Sequence, residues 1–141
     1  MDEKLQQAVR RRAHGLCEYC HAPQSFYPER FQIDHIIARQ HGGETVGENL
    51  ALCCLECNRR KGPNISGIDP LTRKRADLFS PRQDEWNQHF AWRGAILIGF
   101  SAIGRATIEL LDINRPPRLI VRQTLIEEGV FPPAGDRREE A

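Results

Sequence analysis

An α+β fold is predicted for this chain of 141 residues, because short apolar segments with two different periods alternate along it. Segments rich in β-branched and aromatic residues, bounded by glycine, predict strands. Segments with apolar residues three and four positions apart predict amphipathic helices. The length allows one principal domain with an appended lobe.

The first 63 residues predict a core unit that begins with a helix. Leu5, Ala8 and Val9 have helical spacing, with acidic residues before them and arginines after them, and Gly15 ends the segment. The elements expected are a helix over 2–13, a strand over 31–38, a glycine-rich loop over 39–48, a strand over 50–53 and a helix over 55–61.

The second half predicts a mixed α/β extension over 64–134 that packs on the core unit of residues 1–63. The elements expected are irregular chain over 64–82, an amphipathic turn over 83–90, a strand over 95–100, and helices over 101–111 and 119–127. Residues 135–141 are polar, and we expect a disordered tail there.

Four of the five cysteines form two Cys-x-x-Cys pairs, which predict a structural zinc site. The pairs are Cys17 with Cys20 and Cys54 with Cys57, and two intervening residues let both sulfurs of a pair reach one tetrahedral ion. The fifth, Cys53, is expected to be a small buried residue on the face opposite the metal. The metal would add folding free energy to a modest core.

The N-terminal segment MDEKLQQAVRRR is charged and has no apolar signal region. No apolar run approaches the length of a membrane span. We therefore expect a cytoplasmic protein without a membrane partner. In that compartment thiols stay reduced, so cysteine pairs bind metal rather than form disulfides.

Asp34, His35 and Asn58 are candidates for the chemistry of phosphodiester hydrolysis. That reaction needs a base for water and a positive charge that neutralises the leaving oxygen. A histidine can be the base, and a carboxylate together with an amide oxygen can hold a hard divalent cation. Asp34 and His35 are adjacent, so their side chains point to opposite sides unless the strand bends or ends there. Asn58, in the helix after Cys57, can approach Asp34.

Basic residues cluster on both sides of the cysteines, although the net charge is only +1. Between residues 58 and 82 there are seven basic residues against two acidic ones, and arginines occupy 10–12. In a zinc-closed fold the two clusters could share one face, which suggests phosphate binding. Arg59, Arg60 and Lys61 directly follow Asn58 and are the predicted DNA contacts.

At these positions the chain resembles the HNH endonuclease family, whose active site is a ββα-metal fold. The resemblance is carried by the pair Cys17 and Cys20 and by the stretch IDHIIARQHGGETVGENLALCCLECNRRKG, from Ile33 to Gly62. It implies a zinc-stabilised ββα-metal core, with His35 as the general base.

The same resemblance implies roles for the other candidates. Asn49 would brace the loop across from His35, and Asp34 with Asn58 would bind a catalytic Mg²⁺ or Mn²⁺. The structural Zn²⁺ would be held by Cys17, Cys20, Cys54 and Cys57. Many members have histidine where this chain has Asn58, and other members have asparagine. The later segments IDPLT, LFSPRQDEWNQHFAW and IGFSAIGRATIELL resemble a tail found behind this motif in many bacterial members.

The function predicted is metal-dependent hydrolysis of DNA phosphodiester bonds. A non-catalytic zinc module that binds nucleic acid or protein is the alternative, but it gives no reason for the four polar candidates to occur together. His35 in isolation is more typical of a strand histidine, and Asn58 also suits a helix cap. The oligomeric state is open, since a monomer favours nicking and two active sites are needed to cut both strands.

Overall fold

Helices and short antiparallel hairpins alternate in the computed structural model, which describes residues 1–137. The helices are α1 (Glu3–Arg12), α2 (Leu55–Lys61), α3 (Trp86–His89), α4 (Ala102–Leu111) and α5 (Pro116–Glu127). The strands are β1 (Gln32–His35), β2 (Leu50–Cys53), β3 (Ser66–Ile68), β4 (Arg75–Asp77), β5 (Phe90–Arg93) and β6 (Ile96–Gly99). They pair as β1–β2, β3–β4 and β5–β6, and the predicted α+β class is confirmed. Within residues 1–137, no helix has the length and apolar character needed to cross a membrane.

Helix α1 is capped at its start and attached to the rest of the core unit at its end. Asp2 is the N-cap, and its Oδ1 accepts a hydrogen bond from the Lys4 amide at 2.7 Å. In the last turn, Arg12 donates to the carbonyls of Gly47 at 3.0 Å and of Leu50 at 2.6 Å. The basic end of α1 is therefore fixed to the start of β2.

The β1–β2 hairpin and α2 form the strand–strand–helix unit that the sequence predicts. The bounds of β2 and α2 agree with the predicted ones, and β2 is buried at all four positions. β1 is shorter than predicted and ends at His35, opposite Leu50. Beyond it, the Ile36 amide donates to the Asn49 carbonyl at 2.8 Å, and the chain turns away into the predicted loop.

The β3–β4 hairpin stands where irregular chain is predicted over 64–82. Its strands are short, largely exposed and partly charged, so the sequence shows no clear apolar alternation there. Asp69 holds the hairpin, because its buried carboxylate accepts two hydrogen bonds from Arg105 of α4, both at 2.9 Å. These bonds are the main cause of a pKa of Asp69 well below its usual range. The hairpin thus depends on a partner 36 residues away.

The segment predicted as an amphipathic turn over 83–90 forms the single-turn helix α3 and leads directly into β5. Phe90 lies opposite Gly99 and Arg93 opposite Ile96, so the predicted strand over 95–100 has a partner that the sequence did not indicate. The ring of Phe90 packs against Trp86, with centroids 5.2 Å apart. Aromatic residues occur in both the turn and the strand here, so the sequence does not show where one ends and the other begins.

One hydrophobic cluster, among the residues described, joins the core unit to the extension. Trp86 of α3 donates its indole N–H to the Tyr19 carbonyl at 2.9 Å, and both residues are buried. Arg82 forms an ion pair with Glu18. The extension therefore packs directly against the cysteine-bearing segments.

The end of the chain is ordered further than predicted. Ala134–Asp136 forms a short 3₁₀ turn. Asp136 accepts a hydrogen bond from Trp92 Nε1 at 3.0 Å and pairs with His21 Nδ1 at 2.7 Å. A disordered tail is therefore wrong for residues 135–137, because the Asp136 carboxylate has two partners in the body of the protein. The rest of that predicted tail, 138–141, lies outside the described residues.

Gly104 sets the distance between α4 and the β5–β6 hairpin. A Cβ added at Gly104 would lie 2.5 Å from the His89 carbonyl oxygen and 3.4 Å from the Gly99 Cα. We predict that Gly104→Ala lowers the free energy of unfolding by roughly 1–3 kcal/mol, since the backbone must shift to relieve the overpacked contact. Denaturant unfolding measures the change. Gly135→Ala is the matched control, because a Cβ there meets no atom of residues 1–137 within 4 Å. Equal midpoints for the two variants would contradict the close contact.

Candidate functional site

Four buried thiols converge between the N-terminal segment and the start of α2. The Sγ atoms of this four-thiol group all lie within 4.8 Å of one another, and its members are Cys17, Cys20, Cys54 and Cys57. The Cys20 and Cys54 sulfurs are 3.7 Å apart. That matches the edge of about 3.8 Å in a tetrahedron whose zinc–sulfur bonds are about 2.3 Å. Donor type, number and spacing therefore fit a structural zinc ion.

Backbone turns position these thiols before any metal binds. The Cys17 amide donates to the Ala22 carbonyl at 2.9 Å, which closes the turn around the first pair. Cys54 is the N-cap of α2, and its sulfur accepts a hydrogen bond from the Cys57 amide at 3.4 Å. Burial raises the pKa of the Cys17 thiol well above its ordinary value. Hydrogen bonds from the neighbouring thiols instead lower the pKa of Cys20. Zinc binds cysteine as the thiolate, so metal binding releases protons from the thiols that are still protonated.

Cys53 is buried, as predicted, and is not a member of the four-thiol group. Its thiol interacts with that of Cys17, so it lies beside the group rather than on the opposite face. The predicted orientation is wrong because β2 ends at Cys53 and the chain turns there into the Cys54 cap.

Arg118 of α5 contacts the four-thiol group, and sequence reasoning missed it. Its Nη2 donates to the Cys57 sulfur at 3.1 Å, and its Nη1 donates to the Leu111 carbonyl at 2.7 Å. Burial alone would lower the pKa of Arg118, but negative charge on Cys57, Cys20 and Cys54 outweighs it and raises the pKa. Arg118 lies 61 residues from Cys57, and no local signal marks it.

Asp34 lies near the end of β1 and faces α2. It is 9% exposed, and its Oδ2 is 3.2 Å from Lys61 Nζ and 3.5 Å from the Tyr19 hydroxyl. Burial raises the pKa of Asp34, although the Lys61 charge opposes this. The other oxygen, Oδ1, has no hydrogen-bond partner among residues 1–137 and is the atom left for a cation.

Lys61 is buried, with 1% exposure, and does not lie on the surface of α2. Its ammonium group pairs with the Asp34 carboxylate and donates to the His35 carbonyl at 3.2 Å. The DNA contact of Lys61 stays a prediction, and the inward orientation of its side chain against Asp34 argues against it. Helical spacing was the available signal: Lys61 is three residues from Asn58, on the same face of α2.

Arg59 is the exposed member of the predicted DNA contacts. Its side chain is 66% exposed and pairs with Glu56 at 2.8 Å. Arg60 is less exposed and lies between two carboxylates, at 3.2 Å from Glu56 and 3.5 Å from Asp112. Exposed ion pairs of this kind contribute little free energy, so Arg59 is free to exchange its carboxylate partner for a phosphate.

His35 is the last residue of β1, and its side chain points away from Asp34 because neighbouring strand residues alternate. Its Nε2 lies 2.9 Å from the Thr45 hydroxyl. The ring is half-buried, and Nδ1 has no hydrogen-bond partner in the described part of the chain. One ring nitrogen is therefore anchored by a loop residue that the sequence did not single out, and the other is available.

Asn49 closes the loop that follows β1. Its Oδ1 accepts a hydrogen bond from the Ile37 amide at 2.9 Å, and its Nδ2 donates to the carbonyls of Ile37 at 3.0 Å and Glu44 at 2.9 Å. A Cβ on Gly43 would lie 2.8 Å from Asn49 Nδ2 and closer still to the Ile37 carbonyl. Position 43 therefore requires glycine. Asn49 fixes both ends of the loop, at Ile37 and at Glu44.

Asn58 lies within α2 and does not cap it. The N-cap is Cys54, so the helix-cap interpretation of Asn58 is wrong. The Asn58 side chain is half-buried and has no hydrogen-bond partner among residues 1–137. It shares the face of α2 from which Lys61 reaches Asp34. The amide oxygen of Asn58 is therefore a free polar group on the side of α2 that faces β1.

Comparison with known proteins agrees with the resemblance stated above. Residues 17–64 match the model of the HNH endonuclease family, and this match confirms the resemblance for that segment. The chain is also 23% identical to the Septu protein PtuB of Bacillus thuringiensis over 116 residues. The alignment covers 81% of this chain and 42% of that protein, so the chain spans less than half of its relative's length. No solved structure matches the chain.

The zinc assignment predicts a different outcome for two neighbouring cysteines. Cys57→Ser removes one of four ligands and should abolish both zinc binding and cooperative folding, because the metal contributes folding free energy. Cys53→Ala is the matched control: it removes a buried thiol of the same segment and should retain one zinc ion per chain. Metal analysis of the purified variants and their thermal unfolding give the result. Equal zinc contents for the two variants would refute the site.

Proposed function

We propose that this protein is a metal-dependent endonuclease of the HNH type that hydrolyses DNA phosphodiester bonds. The observation that carries the proposal is the arrangement at the end of β1. His35 has one free ring nitrogen among the described residues, and the preceding residue, Asp34, faces α2 from the other side of the strand. Both residues lie inside the segment that matches the HNH endonuclease model.

His35 is the general base in this proposal. With its proton on Nε2, His35 donates to the Thr45 hydroxyl at 2.9 Å, which fixes the orientation of the ring. Nδ1 then carries a lone pair and accepts a proton from the attacking water. Asn49 holds the loop that carries Thr45, and thereby holds the partner of the base.

Asp34 and Asn58 would hold the catalytic divalent cation through one carboxylate oxygen and one amide oxygen. Mg²⁺ or Mn²⁺, when bound, supplies the positive charge that neutralises the leaving 3′ oxygen. Cleavage of the bond between phosphorus and the 3′ oxygen leaves a 5′-phosphate and a 3′-hydroxyl. Lys61 already neutralises part of the Asp34 charge. The protein alone should therefore bind the cation weakly and bind it better when DNA supplies further oxygens.

A non-catalytic zinc module that binds nucleic acid is the second candidate. The ion pair between Lys61 and Asp34 favours it, because a cationic group already lies beside the carboxylate. Supercoiled plasmid with Mg²⁺ or Mn²⁺ separates the two candidates. A binding module retards the plasmid without cutting it, and a nuclease converts it to nicked or linear forms.

The role of the base is tested by His35→Ala. We predict that plasmid cleavage falls by roughly two to four orders of magnitude, the usual effect of losing an acid–base group, while zinc content stays unchanged. His41→Ala is the matched control, because His41 is an exposed histidine of the adjoining loop. Wild-type cleavage by the His35 variant would exclude it as the base.

The role of Asn58 is tested by titrating Mg²⁺ in the cleavage assay. Asn58→Ala should raise the concentration needed for half-maximal cleavage, and Asn58→Asp should retain activity, because an oxygen ligand is kept. Arg59→Ala is the control: it should weaken DNA binding in a salt-sensitive way and leave the metal requirement unchanged. An unaltered metal dependence for Asn58→Ala would place the second ligand elsewhere.

A further inference from the structure

The four-thiol group brings a large negative charge into the interior. Four thiolates around one Zn²⁺ leave a net charge of about two minus, and all four cysteines are buried. Burying such a charge is costly unless cationic groups or hydrogen-bond donors lie beside it. Helix α5, which lies outside the segment that matches the HNH model, brings two guanidinium groups to this region.

Arg118 makes a direct contact with the group. Its Nη2 is 3.1 Å from the Cys57 sulfur, a distance suited to an N–H···S hydrogen bond. Its Nη1 donates to the Leu111 carbonyl at the end of α4. The guanidinium is therefore held by the backbone carbonyls of Leu111 and Asp112 and directed at the sulfur by its planar geometry.

Arg122, one helical turn further along α5, is a buried cation that has no carboxylate partner among residues 1–137. It is 3% exposed, and its donors reach the carbonyls of Ala95 at 2.7 Å and Ile113 at 2.8 Å. Its guanidinium lies 5.2 Å from the centre of the Trp92 ring. Arg122 lines the same cavity as Cys20 and Cys54, which places its positive charge on the side of the four-thiol group that faces α5.

We propose that α5 supplies the positive charge that stabilises the thiolates of the metal centre. Arg118 stabilises the zinc-bound Cys57 thiolate through its hydrogen bond, and Arg122 adds a second positive charge behind it. The extension is then part of the zinc site. This role does not depend on nuclease activity.

Arg118 also lines a cavity beside the four-thiol group, so it affects how easily a chelator approaches the metal. A cavity of about 270 Å³ lies between α5 and the cysteines, and its walls include Cys20, Cys54, Arg118 and Arg122. A chelator that entered this cavity would meet the side chains of Cys20 and Cys54. Arg118 lines this cavity and also contacts the Cys57 sulfur.

Zinc release from the full chain tests the proposal. The zinc-loaded protein is mixed with excess chelator, and the rate of zinc loss is followed by a colorimetric indicator. Arg118→Met, which keeps the volume and removes charge and donors, should lower zinc affinity and speed release by roughly 10–100-fold. Arg115→Met is the matched control, since Arg115 is an exposed arginine at the start of the same helix.

Cobalt substitution separates an effect on the thiolate from a general loosening of the fold. Loss of the N–H···S bond should shift the sulfur-to-cobalt charge-transfer absorption of Arg118→Met to lower energy, and Arg115→Met should leave it unchanged. If Arg118→Met does not fold, Arg118→Lys, which keeps the charge but loses the planar fork, is measured in the same two ways, and a smaller shift in the same direction with release faster than that of Arg115→Met is expected. Release rates equal to those of Arg115→Met, or faster release without a spectral shift, would overturn the proposal.

Discussion

Convergence of four buried sulfurs on one point is the constraint on which the rest of the structure depends. The group joins the turn at Cys17 and Cys20 to the start of α2, 34 residues further along. It thereby fixes where α2 begins relative to β1, and so which face of α2 meets Asp34. The candidate nuclease groups lie on segments too short to hold each other without it, because β1 and β2 have four residues each and α2 has seven.

Contacts between buried cationic side chains and their acceptors connect different parts of the chain. Lys61 neutralises Asp34 inside the core unit, while Arg118 and Arg122 bring positive charge from α5 to the four-thiol group. Asp69 and Arg105 do the same between the β3–β4 hairpin and α4. Each of these cations has a buried acceptor, so removing one partner leaves the other uncompensated.

Sequence reasoning identified the parts that depend on local spacing. The cysteine pairs, β2 and α2 follow directly from periodicity and ligand spacing. The parts it missed depend on distant partners. The β3–β4 hairpin needs Arg105, and Lys61 was predicted to contact DNA because it follows Asn58 closely in sequence, whereas its side chain pairs with Asp34. The site residues Arg118 and Thr45 carry no motif of their own. A basic run predicts DNA contact only as far as its residues are exposed, which here favours Arg59.

The central claim is that the zinc-held β1–α2 unit binds a catalytic divalent cation between Asp34 and Asn58. Anomalous diffraction from crystals grown with Mn²⁺ and a short DNA duplex tests it directly, because manganese and zinc are distinguished by wavelength. The account predicts a zinc peak within the four-thiol group and a manganese peak bound to Asp34 Oδ1 and the Asn58 amide oxygen, with a phosphate oxygen completing the contact. Manganese bound to DNA at another position, with Asp34 paired only to Lys61, would contradict it.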